Sequence, residues 1–280
     1  MSLAYERVNV FPPQVNPMSE TTIELAQLSQ QIEARLQVGK PEEAAALARV
    51  VLVRLPRHLP TYQRLLRATW LMKRTQEGED WARRLLQADP GSSLAWRSLA
   101  YAVELKGMRN SARAMWKRAF EADPYHPDIR NGLSRTSLQR AHALVLNTAC
   151  LASLYLRGGR WAHAANTYWG LMQVEQRRID FQLHCAVALW QQNARPEAYR
   201  LARQLTQRHP HLLLAWIVLS SLGDVDDRAL ARNPILSMDP DGEYVRGWLG
   251  IPFTGAPTQL QITLKESALL QSVDGNTVLQ

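Results

Sequence analysis

Three prolines, Pro56, Pro90 and Pro124, stand 34 residues apart, and a spacing kept that strictly restricts the chain to a stack of equal units. Between-helix turn residues keep the same step at Gly39, Lys73 and Gly107. The stretch from Trp96 to Pro124 carries the unit in its fullest form. Trp96, Leu99, Ala100 and Val103 recur at helical spacing, Gly107 interrupts, then Ala112, Trp116 and Ala119 recur again before Pro124. Such spacing predicts two short amphipathic helices, a glycine turn between them and a proline that stops the second. The turn needs a left-handed backbone that glycine adopts freely, so Lys73 is the departure at that phase.

Other copies follow. The first runs Leu28, Gln31, Ile32, Arg35, then Ala44, Ala48, Val51 and Pro56; the second runs Tyr62, Leu65, Leu66, Thr69, then Gly78, Ala82, Leu85 and Pro90. Two more keep the internal spacing: Thr148, Leu151, Ala152, Tyr155 with Gly159, Ala164, Tyr168 and Leu171, and Gln182, Cys185, Ala186, Leu189 with Asn193, Ala198, Ala202, Leu205 and Pro210. A last first-helix stands at Trp216, Leu219 and Ser220. Over roughly residues 25 to 222 this pattern resembles the tetratricopeptide repeat (TPR) family. The resemblance implies an all-α, right-handed solenoid of antiparallel helix pairs, a TPR-like superhelix. Small residues such as Ala100, Ala152 and Ala186 let helices approach closely. Ile32 and Leu66 are larger at that position, so the first two units are expected to pack more loosely.

Five segments follow from this reading. Residues 1–20, with Phe11-Pro12-Pro13 and Asn16-Pro17, form an extended N-terminal arm. Residues 21–126 hold three repeats, opening at a capping-box pattern, Thr21 to Glu24. The next full unit starts 18 residues late, so 127–144 reads as a single linking helix, in preference to one long pivot running on into the helix of Leu151. Residues 145–222 hold two repeats and a terminal helix, and 223–280 an acidic, partly irregular tail. Within the tail, Asp226 to Arg232 reads as a short helix, and Thr263 to Glu266 is a second capping box opening a helix through Gln271.

Charge sorts along the chain. The net charge of +8 divides as −1 for 1–20, +8 for 21–140, +5 for 141–222 and −4 for 223–280. Opposite signs predict a tail folded back over the terminal repeat or into the groove, as cap or competitor. The two cysteines, Cys150 and Cys185, make no disulfide framework, which together with an N-terminus lacking a secretory pattern favours a cytoplasmic location. No apolar run is long enough for membrane insertion. Cys150 and the His184-Cys185 pair read as core, and His209-Pro210-His211 as a repeat end. No phosphate loop, His-x-x-x-His pair or Ser/His/Asp arrangement is present. The expectation is therefore a non-enzymatic chain with no cofactor and no metal.

Candidate binding residues lie on the inner face of the first helices. Trp96, Trp116 and Trp216 occupy packing positions and read as core, whereas Trp70 and Trp190 fall late in their helices on the groove side. Gln63, Arg67, Trp70, Arg97, Tyr101, Asn131 and Arg135 form one stripe, with Trp190 in the second block. Guanidinium groups interleaved with aromatic rings suit an extended acidic segment. The resemblance implies a protein–protein interaction scaffold or assembly adaptor, its protein or peptide partner an acidic one on this reading. RNA or other nucleic acid bound through a basic groove is the alternative. The family's carboxylate clamp is not matched, since this chain has Ser29, Glu33, Arg64, Leu94 and Ser98 at those places.

Overall fold

The computed structural model describes residues 20–137, 145–252 and 255–271. The arm expected over 1–20 lies outside them apart from Glu20, as does the 138–144 part of the linking segment.

Three helix pairs form the first block: α1 (Leu25–Gln37) with α2 (Pro41–Arg54), α3 (Leu59–Leu71) with α4 (Thr75–Ala88), and α5 (Ser93–Leu105) with α6 (Arg109–Ala122). α7 (Pro127–Thr136) then packs on α6 and α5 at the place of a further first helix. The second block pairs α8 (Thr148–Arg157) with α9 (Trp161–Val174), α10 (Ile179–Gln191) with α11 (Arg195–Arg208), and α12 (Leu213–Leu222) with α13 (Val225–Met238). The sequence reading stopped the array at Leu222, and α13 carries it one helix further. Beyond it come α14 (Glu243–Leu249), β2 (Gln259–Thr263) and α15 (Leu264–Gln271).

One backbone device makes five of the turns. Gly39, Lys73, Gly107, Gly159 and Asn193 all take positive φ, between +57° and +76°. The next residue's N–H reaches five residues back, as in Lys40 to Arg35 (2.8 Å), Arg74 to Thr69 (2.9 Å) and Ala194 to Leu189 (2.9 Å). That bond satisfies a carbonyl left free at the helix end. The small positions work as spacers: Ala44, Ala48, Ala82, Ala112, Ala119, Ala164, Ala198 and Ala202 are fully buried. Ile32 and Leu66 are fully buried too.

The chain starts differently from the reading above. Thr21 does not cap a helix; Glu20–Glu24 is a strand, β1, and α1 begins at Leu25 with no side-chain cap. β1 pairs antiparallel with β2, Glu20 opposite Thr263 and Glu24 opposite Gln259. The cross-strand ladder supplies the partners that a capping box would otherwise provide, and it turns Ile23, Leu260 and Ile262 onto the first helix pair.

The tail thus returns to the beginning of the array. Glu243 at the start of α14 takes a bidentate pair from Arg64 of α3. Arg54 of α2 grips both oxygens of Glu266 at 2.7 and 2.6 Å, and the buried Arg35 donates to the Leu269 carbonyl at 2.8 Å. The second capping box does form, with the Thr263 N–H 2.8 Å from Glu266 Oε2 and the Glu266 N–H 3.3 Å from Thr263 Oγ1. Array ends need a cover, and here β2 and α15 cover the first helix pair.

The two blocks meet along the loops that join successive pairs. Arg118 of α6 donates to Asp180 at 3.0 Å, and Arg178 donates to Glu121 at 2.8 Å. Gly91 lies against the His184 ring so closely that a Cβ there would stand 2.3 Å from Cε1. The Tyr244 hydroxyl of α14 donates to the buried carboxylate of Asp89.

Candidate partner-binding groove

The C-terminal halves of α3, α5 and α7 lie side by side because α7 keeps the repeat's phase. Their exposed side chains enclose an open cleft lined by Trp70, Lys73, Tyr101, Asp128, Asn131 and Arg135, with an edge of Trp116. Trp70 and Tyr101 form its aromatic wall, their ring centroids 4.8 Å apart and tilted by 48°.

The arginines of this stripe already hold carboxylates. Arg135 donates to both oxygens of Glu104, at 2.8 and 3.1 Å, and lies 5.9 Å from the Trp116 ring centre. Burial pushes Glu104 upward, but hydrogen bonds from Arg135 and from Trp116 Nε1 outweigh it and hold the carboxyl below its ordinary range. Arg135 is correspondingly raised, first by its bond to Glu104. Arg97 is mostly buried, with its guanidinium 5.0 Å from the Trp70 ring centre and 3.2 Å from Asp128 Oδ2. Burial lowers its pKa against the opposing pull of Asp128. It supports Trp70 from behind, a cation–π contact that fixes the ring's tilt. Arg67 is exposed and donates to both oxygens of Glu33, at 2.8 and 2.9 Å.

The stripe read from sequence therefore divides. Trp70, Arg97, Tyr101, Asn131 and Arg135 come together around one cleft. Arg67 sits a turn away, and Gln63 lines a different cleft beside α14. Trp190 is half-buried against the second core. Lys73 and Asp128 were not singled out as groove residues. Lys73 was visible only as the non-glycine at a glycine position, yet its side chain lines the cleft and makes no ion pair among the described residues.

The two cysteines are buried apart, with Cys150 Sγ 3.6 Å from the Phe120 carbonyl and Cys185 Sγ 3.8 Å from that of Ala165. Burial pushes the Cys185 thiol up to about 12, so neither environment favours a thiolate. His211 meets Arg57 at 3.1 Å, not a second histidine. Among the described residues no group of three His, Cys, Asp or Glu side chains is placed to hold a metal ion, and no helix is long and apolar enough to cross a membrane.

Helix pairs repeating at 34 residues, left-handed turns at one phase and buried small residues at another define a tetratricopeptide-type array. No protein-family model and no curated protein matches the chain. Among solved structures it is similar to a tetratricopeptide repeat protein from Parabacteroides merdae (13% identity, 80% of this chain and 82% of that one, TM-score 0.34). It is also similar to the C-terminal part of a TPR repeat-containing protein from Cytophaga hutchinsonii (11% identity, 80% and 100%, TM-score 0.35). A third is PilW, a type IV pilus biogenesis factor (12% identity, 79% and 96%, TM-score 0.34).

Proposed function

We propose that this chain is a non-enzymatic interaction scaffold or assembly adaptor that takes a short segment of a protein partner in the cleft of α3, α5 and α7. The observation that carries this reading is the Trp70–Tyr101 wall, half-exposed and backed by Arg97, beside the Lys73 ammonium. Rigid aromatic surface next to a cation suits an anchor side chain flanked by a carboxylate. Arg67, Arg97 and Arg135 each hold an internal carboxylate. A stripe of free cations, which a phosphate backbone requires, is thus reduced, and a protein segment is favoured over RNA.

A displayed library of twelve-residue peptides panned on the full chain, with counter-selection on the Trp70→Ala variant, tests the reading. Enrichment of acidic sequences containing an aromatic or large apolar residue, each weakened about ten-fold by Arg135→Glu, is the expected result. Equal enrichment on wild type and Trp70→Ala overturns it. So does steeply salt-dependent RNA binding that Trp70→Ala and Arg135→Glu abolish, which makes the groove a nucleic-acid site.

A further inference from the structure

Pro56 and Pro210 close repeats on opposite sides of the register break, and the stack brings their two loops together. Arg57 and His211, each the residue after its proline, meet with the guanidinium Nη2 3.1 Å from the imidazole Nδ1. A guanidinium can only donate, so Nδ1 accepts and the His211 proton sits on Nε2. Beside this pair lies a cleft of about 130 Å³, in which the buried Leu59, Ala88 and Met238 adjoin Arg57, His211 and Arg84 of α4. It is separate from the groove of α3, α5 and α7, and nothing about it depends on what that groove binds.

The cations of this cleft have no acid beside them. Arg84 stands 4.6 Å from the Trp81 ring centre, and stacking uses the face of a guanidinium while leaving its N–H edge open. Arg57 is half-buried, and its polar contacts are with neutral groups, the His211 ring and, at 3.6 Å, Met238 Sδ. Among the described residues neither arginine makes an ion pair and no carboxylate lines the cleft. Both charges bear on Tyr62, whose hydroxyl gives its proton to the Pro56 carbonyl. Burial pushes that hydroxyl's pKa up, and Arg84 and then Arg57 pull against it.

Elsewhere the seam between the two blocks is built otherwise. Arg118 meets Asp180 at 3.0 Å, Arg178 meets Glu121 at 2.8 Å, and Arg157 stands 3.9 Å from Asp123. Where those guanidiniums have a carboxylate, Arg57 has an imidazole. Two guanidiniums gathered around one hydroxyl repel each other, and an anion between them turns that repulsion into attraction.

We propose that this cleft binds a phosphate group, as the free anion or as a phosphate monoester. Its donors come from two loops and a helix: Arg57, the Nε2–H of His211 and Arg84. Donors on three separate residues suit the oxygens of a tetrahedral group better than the two of a planar carboxylate, and a pair of guanidiniums matches a charge of about −2.

Isothermal titration of the full chain at about pH 8 and constant ionic strength, with inorganic phosphate, with O-phosphoserine and with acetate, tests this. Arg57→Gln and Arg84→Gln each remove one guanidinium. Arg83→Gln is the control for general charge, since Arg83 is on the same helix, outside the cleft and paired with Glu79 at 2.7 Å. Saturable one-to-one binding of phosphate, weakened about ten-fold in each of the first two variants and unchanged in the third, is expected. O-Phosphoserine bound with the same losses upholds the site and opens it to a phosphorylated side chain; phosphate bound without O-phosphoserine upholds it and confines it to the free anion. Thermal melts check that the variants remain folded, and if one does not, the other decides. The proposal is overturned if neither phosphate compound binds up to about 10 mM, if acetate binds as well as they do, if Arg83→Gln loses as much, or if a folded Arg57→Gln or Arg84→Gln binds like the wild type.

Discussion

The indole N–H of Trp96 donates to the carbonyl of Pro90 at 2.8 Å, six residues earlier. The same bond recurs at four further first helices: Tyr62 to Pro56, Arg130 to Pro124 at 3.2 Å, Gln182 to Gln176 at 2.7 Å and Trp216 to Pro210 at 3.0 Å, while α1 has Leu28, which carries no donor, at this place. Four chemically different side chains serve one purpose, fixing the loop that enters each first helix. The residue at this place is thus chosen for a donor that reaches back as well as for bulk. Trp96→Phe keeps most of the packing and deletes the donor, so it is expected to cost about 1 kcal/mol in urea unfolding. A loss of under a few tenths of a kcal/mol would show that the ring's bulk alone matters.

The 34-residue step was legible because packing and turn geometry impose it: the alanines are small because helices touch there, and the glycines sit where φ must be positive. What was not legible is what crosses the array. Thr21 to Glu24 satisfies a local capping rule, but the strand partner that overrides it, Gln259–Thr263, is more than two hundred residues away. The groove residues Trp70, Tyr101, Asn131 and Arg135 could be placed together from repeat phase alone. The internal carboxylates that hold Arg67, Arg97 and Arg135 lie on neighbouring first helices: Glu33 is one 34-residue period from Arg67, whereas Asp128 and Glu104 stand 31 residues from Arg97 and Arg135, off the repeat step, and only the packed stack brings them alongside.

Lys73 tests the turn argument directly. Its φ of +57° is the conformation that Gly107 adopts at +76° one repeat later. An L-residue there is strained, and glycine relieves the strain at some cost in unfolded-chain entropy. Lys73→Gly is expected to raise stability by about 0.5 kcal/mol, read as a higher urea midpoint at unchanged slope. Gly107→Ala is the mirror control and should lower it by about 1 kcal/mol. A destabilised Lys73→Gly would mean that the side chain contributes more than the backbone loses.

Glu266 fastens the tail to the first repeat. Hydrogen bonds from Arg54, with those from Thr263, outweigh partial burial and hold its carboxyl down to about 2. Glu266→Gln keeps the shape and removes the charge, and is expected to weaken docking of α15 on α2 by about 1 kcal/mol, a value reduced by solvent at this partly exposed pair. Hydrogen exchange should then quicken over 259–271 and in β1 while the α10–α11 pair stays protected. Uniform quickening across the chain would show that the tail is part of one cooperative unit.

Acid should act first through histidine. Burial, reinforced by the charge of Arg64, pushes His58 down to about 3; burial, opposed by Asp180, pushes His184 down to about 4. Both stay neutral in the fold and would protonate near 6.5 once unfolded, so their contribution is complete above pH 6.5 and is lost as pH falls toward those values. Each removes about 1.4 kcal/mol per pH unit within that window. Asp89 works the other way: burial, against its bond from Tyr244, raises it to about 6, so protonation stabilises the fold as pH drops from 6 toward the ordinary carboxylate range. Asp239, raised by burial, adds to that in the same direction. Carboxylates held low, such as Asp180, Glu79 and Glu266, keep their full contribution until pH falls below the ordinary range. Two histidines outweigh Asp89 where all three titrate, so urea stability should fall between pH 6.5 and 5. His184→Gln should make that slope shallower by about 1.4 kcal/mol per unit, and Asp89→Asn should make it steeper below pH 6. The slope, not the absolute stability, is the readout, since either variant changes packing at every pH; a slope unmoved by His184→Gln would place the ring's proton on in the folded state.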